Sequence, residues 1–263
     1  MEVRKQTIHR RLREKGIRKW RAIKRPLLMK QHAKLRLKWA KLHQHWTADD
    51  FRRVIWSDEC AVEKENNTTI TWVFRRQNKR EKYAPRNVQL KVKHSIVSQM
   101  IWGCFFSNRL GPIVFIEDAV NQDVYKTMLA EYLVPFLDAL KADGEANLEF
   151  QQDNAPPHTA KRAKESLKEI AEKHNLKTME WPPNSPDLSP IEHLWAELKG
   201  RLFQKYPDTV CLKGSPDTIR SILQARLHEV WWEISEEVLE ELIKSMPRRV
   251  KEVLDAQGWY TSF

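Results

Sequence analysis

The sequence predicts an α/β fold in which a sheet is flanked by helices. Short runs rich in Val, Ile, Phe and Trp come first along the chain and are typical of consecutive, mostly antiparallel strands. They lie at 53–57, 69–74, 95–106 and 112–116. Helical and strand patterns then alternate, and this order, strands first and then β and α in turn, indicates a sheet covered by helices.

The second half of the chain supplies the alternating elements. Apolar residues at helical spacing predict a helix over 121–142, with a kink at Pro135 because proline interrupts helical hydrogen bonding. A strand at 147–152, a helix at 159–174 and a strand at 177–181 follow. A proline-rich loop, 182–189, then leads to a helix that starts at Pro190, and two helices at 215–232 and 235–256 close the chain.

Composition excludes several classes of protein. The chain has 263 residues, of which 41% are hydrophobic and 11 are Trp, so it can bury a substantial core. No run approaches the roughly 18 apolar residues that span a bilayer, and the start has no signal-peptide hydrophobic region. Three scattered Cys residues form no CxxC pair, so neither a disulfide framework nor a zinc knuckle is expected. We therefore expect a soluble, intracellular protein with no membrane partner.

The positive charge is concentrated at the N-terminus. The chain carries a formal charge of +11, and residues 1–46 hold 16 Lys/Arg against 2 acids, whereas the rest has slightly more acids than bases. Such a block suits neutralisation of nucleic-acid phosphates, with a solvated charged helix as the alternative. The candidate DNA-binding residues are Arg10, Arg11, Arg13, Lys15, Arg18, Lys19, Arg21, Lys24 and Arg25.

Two helical segments are expected within this basic arm. Residues 7–15 predict a short helix with Ile8 and Leu12 on one face, ended by Gly16. So short a helix needs partners, and we interpret it as the last helix of a small DNA-binding unit. Residues 27–46 predict a linker or docking helix. The predicted domains are thus a basic arm at 1–46 and a catalytic domain at 47–263.

Three acidic residues have unusual local surroundings. Asp58 ends a hydrophobic strand, Asp153 ends another strand before a Pro-Pro pair, and Glu192 lies in the first turn of the helix that starts at Pro190. If they converge, their charge needs a counter-ion, and Mg²⁺ prefers such hard oxygen ligands. Two ions could then activate the attacking oxygen and stabilise the leaving oxygen of a phosphoryl displacement.

Each acid also has a purely structural interpretation. Asp58 and Asp153 could form ordinary turns. Glu192 could complete a capping box with Ser189, in which it only accepts a backbone N–H. Asp187 is the fallback third carboxylate. His158 and Asn154 are candidate auxiliary residues, and a structural use of His158 is the default.

Three motifs make the sequence resemble Tc1/mariner-type transposases. They are residues 56–59 (WSDE), 151–160 (QQDNAPPHTA) and 181–195 (WPPNSPDLSPIEHLW). The resemblance implies an RNase H-like fold with mixed sheet and a DDE triad carried by Asp58, Asp153 and Glu192, which would also be the metal ligands. It implies two Mg²⁺ or Mn²⁺ ions, cleavage at transposon inverted repeats, and strand transfer into target DNA, usually at TA.

The resemblance starts near Gln6, so we expect the family's first helix-turn-helix to be lacking, a truncation that could leave the enzyme inactive. Double-stranded DNA, at transposon ends and target, is the implied partner, a homodimer is a second one, and the nucleus is the expected location. Two alternatives stay open: a non-catalytic, transposase-derived DNA-binding protein, and an RNase H-like nuclease acting on RNA–DNA hybrids.

Overall fold

The computed structural model describes residues 27–64, 97–117 and 119–263, together with Thr7, Arg10, Arg11 and Glu14. Its sheet has five strands in the order β3-β2-β1-β4-β5. The strands are β1 (Val54–Glu63), β2 (Ser98–Phe106), β3 (Arg109–Ile116), β4 (Glu149–Gln151) and β5 (Lys177–Thr178). The predicted strand at 69–74 lies outside the described residues.

The sheet is mixed, and β1 is its central strand. β1 pairs antiparallel with β2 along its whole length, from Ile55 opposite Phe106 to Glu63 opposite Ser98. On its other side β1 pairs parallel with β4, but only as far as Trp56 opposite Gln151. β2 and β3 are antiparallel, and β4 and β5 are parallel. The two inner parallel strands therefore separate just beyond Trp56, and a cleft can form there.

Ten α-helices lie in the described ranges. They are α1 (Lys30–Leu42), α2 (Ala48–Arg52), α3 (Gln122–Met128), α4 (Val134–Ala142), α5 (Pro156–Thr159), α6 (Lys161–His174), α7 (Pro190–Lys205), α8 (Pro216–Trp232), α9 (Glu236–Lys244) and α10 (Met246–Asp255). A π-helical turn, Leu129–Leu133, joins α3 to α4, and a 3₁₀ turn, Pro207–Cys211, follows α7. None of the described helices is both long and apolar enough to cross a membrane.

Prolines account for two departures from the predicted helices. The helix expected over 121–142 contains a π-helical turn just before Pro135, with Val134 N–H donating to the Leu129 carbonyl, five residues back. Proline has no N–H, so the ladder must adjust there. The helix expected over 235–256 is divided at Ser245, because Pro247 cannot donate to the preceding turn.

The predicted strand ends also differ from the structure. β1 continues to Glu63 rather than ending at Ser57, because β2 pairs with it throughout. Asp58 therefore lies within a strand, and the interpretation that it ends one is wrong. The strand expected at 177–181 is only two residues long, although Met179 N–H still donates to the Phe150 carbonyl.

Two hydrophobic cores cover the two faces of the sheet. Side chains alternate along β1, so that Trp56 and Cys60 face one core while Ile55 faces the other. The first core is closed by α1, α7, α8, α9 and α10, and the second by α3, α4 and α6. Asp58 shares the first face and Glu59 the second, so neighbouring acids point into different layers.

Candidate active site

A cavity of about 400 Å³ opens where β1 and β4 separate. All three predicted acids, Asp58, Asp153 and Glu192, line it. The rest of its wall comes from the segment after β4 and from the proline-rich loop. These lining residues include Gln151, Asn154, Ala155, Pro156, Trp181, Pro182, Pro183, Asn184, Ser185, Pro186 and Ser189. The acids that the sequence spreads over 134 positions thus face one space.

Asp58 is the most deeply placed of the three acids. It lies opposite Gly103 of β2, on the face of β1 that packs against α7. Burial raises the pKa of Asp58 well above its ordinary value, and repulsion from Glu192, Glu59 and Asp153 adds to this. An acid in such surroundings gains most from a cation that could neutralise it.

Asp153 follows the end of β4 by two residues and is held by two hydrogen bonds. Its Oδ1 accepts from the Ala155 backbone N–H at 2.8 Å and from His158 Nδ1 at 2.7 Å. Burial raises the pKa of Asp153, but these hydrogen bonds and the charge of His158 outweigh it, so the pKa is lowered. Asp153 therefore stays ionised with one oxygen engaged in a fixed direction.

Glu192 lies in the first turn of α7, as predicted, with Pro190 at the start of the helix. The predicted capping box is wrong, since the Ser189 side chain makes no cap and its Oγ is buried without a partner. Burial raises the pKa of Glu192, the charge of Lys199 opposes this, and repulsion from Asp153 adds to it. The Glu192 carboxylate is thus available to the cavity.

The donor set suits a hard divalent cation. Three carboxylates share the cavity with two buried oxygens that have no hydrogen-bond partner, Gln151 Oε1 and Ser189 Oγ. Oxygen ligands of this kind are those that Mg²⁺ and Mn²⁺ prefer. In the described ranges no three His, Cys, Asp or Glu side chains are already grouped closely enough to hold one ion. The three acids therefore line one cavity, as expected, but they do not form a preformed metal site in the described ranges.

His158 bridges two carboxylates behind the cavity wall. Its Nε2 lies 3.1 Å from Glu59 Oε1, while its Nδ1 bonds Asp153. The imidazole is 3% exposed and packs against the Tyr125 ring, with ring centroids 4.0 Å apart and the ring planes tilted by 35°. The Tyr125 hydroxyl in turn donates to the Gln152 side chain. His158 acts as a rigid link between the face of β1 that carries Glu59 and the end of β4.

The second auxiliary candidate, Asn154, joins two parts of the wall. Its Nδ2 donates to the Trp181 carbonyl at 2.8 Å. That contact connects the segment after β4 with the start of the proline-rich loop, and both segments line the cavity. Asn154 thus has a structural contact in addition to its place at the site.

Asp187, the fallback third carboxylate, is wrong as a cavity ligand. Arg36 of α1 clamps it with two hydrogen bonds of 2.6 Å, and Thr261 donates to it at 2.7 Å. Arg249 donates to the Asp187 carbonyl at 2.8 Å. Asp187 thus fixes the proline-rich loop against α1, α10 and the C-terminal residues, and so determines where α7 and Glu192 begin.

Sequence reasoning missed the supporting residues. Glu59 was visible next to Asp58, but strand alternation places it on the other face, and nothing local indicated that His158 would reach it. Gln151 lay inside a recognised motif without a detectable role. Arg36 could have been noticed because no acid lies near it on α1. A buried guanidinium needs a charged partner, so that partner must come from a distant part of the chain.

Little of the N-terminal arm is described. Thr7, Arg10, Arg11 and Glu14 are helical, as expected for 7–15, and Glu14 pairs with Arg10 at 3.8 Å and with Arg11 at 3.6 Å. The remaining candidate DNA-binding residues lie outside the described residues. They are Arg13, Lys15, Arg18, Lys19, Arg21, Lys24 and Arg25.

Comparison with known protein families identifies the part of the chain that contains this cavity. A family model described as a DDE superfamily endonuclease matches residues 53–212. A second model, described as a transposase, matches residues 1–45. The first match covers the strands and helices that carry Asp58, Asp153 and Glu192, which defines the catalytic part as a DDE superfamily fold.

Curated relatives match along almost the whole chain. The Tcb1 transposase of Caenorhabditis briggsae is 34% identical over 98% of this chain and 88% of its own length. The Tc1 transposase of Caenorhabditis elegans is 33% identical with the same coverage. The chain therefore belongs to the Tc1-type family of transposases, as its motifs predict.

Solved structures agree on the fold. A Mos1 mariner paired-end complex with Mn matches with a TM-score of 0.74 at 19% identity, over 99% of this chain and 72% of that chain. A pre-cleavage Mos1 transpososome matches with a TM-score of 0.75 at 17% identity, over 98% and 72%. The predicted RNase H-like α/β fold is confirmed.

Proposed function

We propose that this chain is a Tc1-like DDE transposase that cleaves DNA and transfers a strand to a new site, with Asp58, Asp153 and Glu192 as its catalytic carboxylates. The observation that carries the proposal is that these acids, from β1, the end of β4 and the start of α7, line one cavity whose uncompensated charge requires cations. Family membership supplies the reaction class.

The cations are Mg²⁺ or Mn²⁺, with two ions expected. This is supported by the oxygen-only donor set and by Mos1 catalytic-domain structures that contain Mg or Mn. Asp58, Asp153 and Glu192 would hold them. Bound ions of this type supply activation of the attacking oxygen and stabilisation of the leaving oxygen.

The residues of this chain position the reaction. Asp153 keeps its charge because His158 and the Ala155 N–H hold Oδ1, which leaves Oδ2 for a ligand. The charge of Glu192 repels that of Asp58, which disfavours the ionised form of Asp58 in the absence of a cation. The Trp181–Pro186 segment forms one wall of the cavity.

Double-stranded DNA is the proposed substrate, at transposon ends and at the target. The basic block at 1–46 and the match of 1–45 to a transposase model support it. The solved Mos1 relatives include complexes with transposon ends. We place the protein in the nucleus because its substrate is there, and a homodimer remains part of the proposal because joining two ends requires two sites.

The test is metal-dependent nicking of supercoiled plasmid by the purified chain. Asp58→Asn, Asp153→Asn and Glu192→Gln should each lower the nicking rate by more than about 100-fold. Removing a residue that only contacts a metal ligand costs up to about 100-fold, and removing a ligand itself should cost more. Asp217→Asn is the matched control, since its side chain is 90% exposed. Full nicking by Asp153→Asn would overturn the assignment, and preferred cleavage of RNA–DNA hybrid would favour the nuclease alternative.

A further inference from the structure

Four lysines form a single stripe along α1. Lys30, Lys34, Lys38 and Lys41 are all exposed. At 3.6 residues per turn they fall within an arc of about 80° and span about 16 Å. The buried face of α1, with Ala33, Arg36, Trp39 and Ala40, lies on the opposite side. We call these four residues the lysine stripe.

No acidic residue of α1 neutralises the lysine stripe, although Glu149 and Glu180 line a cavity together with Lys38. Residues 27–48 contain no Asp or Glu. In the described part of the chain no ion pair involves any of the four lysines, whereas on α6 Lys161 pairs with Glu165 and Lys168 with Glu172. Exposed helix surfaces normally mix acidic and basic side chains, because like charges at positions i and i+4 repel each other. A row of like charges kept on one face indicates an anionic partner.

The stripe is held rigidly on the catalytic body. Arg36, on the opposite face of α1, is fully buried and bonds Asp187 and the Gly258 carbonyl. Trp39 and Ala40 belong to the core that also contains Trp56 and Leu194. The lysines therefore project from a helix that is packed onto the catalytic body.

The stripe also lies beside the candidate active site. Lys38 lines a second cavity, of about 150 Å³, together with Trp181, Pro182 and Pro183. These three residues also line the cavity that holds the three carboxylates. The proline-rich loop thus has the stripe on one side and the catalytic acids on the other.

We propose that the lysine stripe, in the C-terminal part of the basic arm, binds the phosphate backbone of duplex DNA next to the segment being cleaved, as a contact surface distinct from the candidate DNA-binding residues at 10–25. Its length of about 16 Å corresponds to about five phosphates of one strand, counted along the axis of the duplex at about 3.4 Å per phosphate. The proposal rests on the proposed function only in taking DNA as the polymer. Backbone contacts of this kind fix register and orientation and carry no sequence preference.

The experiment measures duplex binding by the full chain in EDTA, so that catalysis plays no part. Fluorescence anisotropy with a labelled duplex over a range of KCl gives the slope of log K against log salt. Each lysine on phosphate contributes about 0.9 to that slope. Changing all four lysines to Gln should lower the slope by about 3 to 4 and weaken binding at least about 10-fold at moderate salt.

The matched control replaces four lysines of α6, Lys161, Lys164, Lys168 and Lys173, by Gln. Its slope should change by less than about 1, the share of a single lysine. An equal fall in salt slope in both variants, or no fall in the α1 variant, would overturn the proposal. It would also be overturned if the α1 variant lost binding to phosphatidylserine vesicles but bound duplex DNA as the wild type does. If the α1 variant fails to fold, single Lys→Gln changes should each lower the slope by about 0.9 and serve as the test.

This result is independent of the catalytic proposal. If the wild-type chain does not nick plasmid but the α1 variant shows the expected fall in salt slope, only the catalytic assignment is refuted. A chain that nicks plasmid normally with an unchanged salt slope would refute only the role of the stripe.

Discussion

His158 and Asp153 are joined by a 2.7 Å hydrogen bond between the imidazole Nδ1 and the carboxylate Oδ1, and the other ring nitrogen of His158 faces Glu59. One of the three cavity carboxylates is thereby oriented by a buried residue that does not line the cavity. The Tyr125 ring packs against the imidazole, with the two ring planes tilted by 35°.

We therefore expect His158→Gln to slow Mn²⁺-dependent nicking by about 10- to 100-fold, the usual effect of removing an outer partner of a metal site. Gln cannot bridge both carboxylates. Glu59→Gln keeps the bond to Asp153 and should cost less. The Mn²⁺ concentration that gives half-maximal rate should rise with the loss, and an unchanged metal dependence would show a merely structural role.

The same residue makes stability depend on pH. Burial alone lowers the pKa of His158, but the hydrogen bonds to Asp153 and Glu59 outweigh it and raise the pKa to about 10 from an ordinary 6.5. Its stabilisation is complete below about pH 6.5 and is lost as pH rises through about 10. The difference in free energy of unfolding between wild type and His158→Gln should shrink across that window. Urea unfolding at several pH values measures it, and a constant difference would contradict the bridge.

The clamp between Arg36 and Asp187 should be a major support of the fold. Arg36→Met leaves the nearly buried Asp187 carboxylate, 10% exposed, without its cation, which typically costs about 3 to 5 kcal/mol. Arg220→Met is the control, because its pair with Asp217 is exposed and should contribute less than about 1 kcal/mol. Chemical denaturation measures the free energy of unfolding of both variants, and a similar loss in the two would show that the clamp is not a major support of the fold.

Gly103 permits the close approach of α7 to the sheet. A Cβ at this position would lie 2.8 Å from Cη2 of Trp195, one turn after Glu192. Gly103→Ala should cost about 1 to 3 kcal/mol, as overpacking does, and reduce nicking by shifting α7. Gly200→Ala, with open space around it, should instead stabilise α7 by about 0.5 to 1 kcal/mol. Unchanged stability and nicking in Gly103→Ala would contradict the tight contact.

Local sequence patterns were sufficient for most of the fold and for the three acids. These patterns each extend over only a few residues, so they are visible in the sequence. They are the alternation of side chains along β1, the helical spacing of apolar residues in α6 and α7, and the prolines that start or interrupt helices. The prolines even indicated where the helix over 121–142 would change its hydrogen bonding.

The supporting contacts could not be predicted because they join distant residues. Arg36 meets Asp187, and Glu59 meets His158, only once the sheet and both helical layers are assembled. The Ser189–Glu192 cap failed for the same reason. The local pattern favoured it, but the loop is instead fixed by Arg249 from α10. The boundary between the domains at 46 and 47 stays a prediction.

A Mn²⁺ titration of the full chain bound to nicked duplex, followed by electron paramagnetic resonance, measures whether Asp58, Asp153 and Glu192 hold metal ions. We expect about two ions in the wild type, in line with two-metal phosphoryl-transfer sites. Asp58→Asn, Asp153→Asn and Glu192→Gln should each lose at least one ion, with Asp217→Asn unchanged. Wild-type Mn²⁺ binding in all three acid variants would contradict the claim that these carboxylates hold the metal.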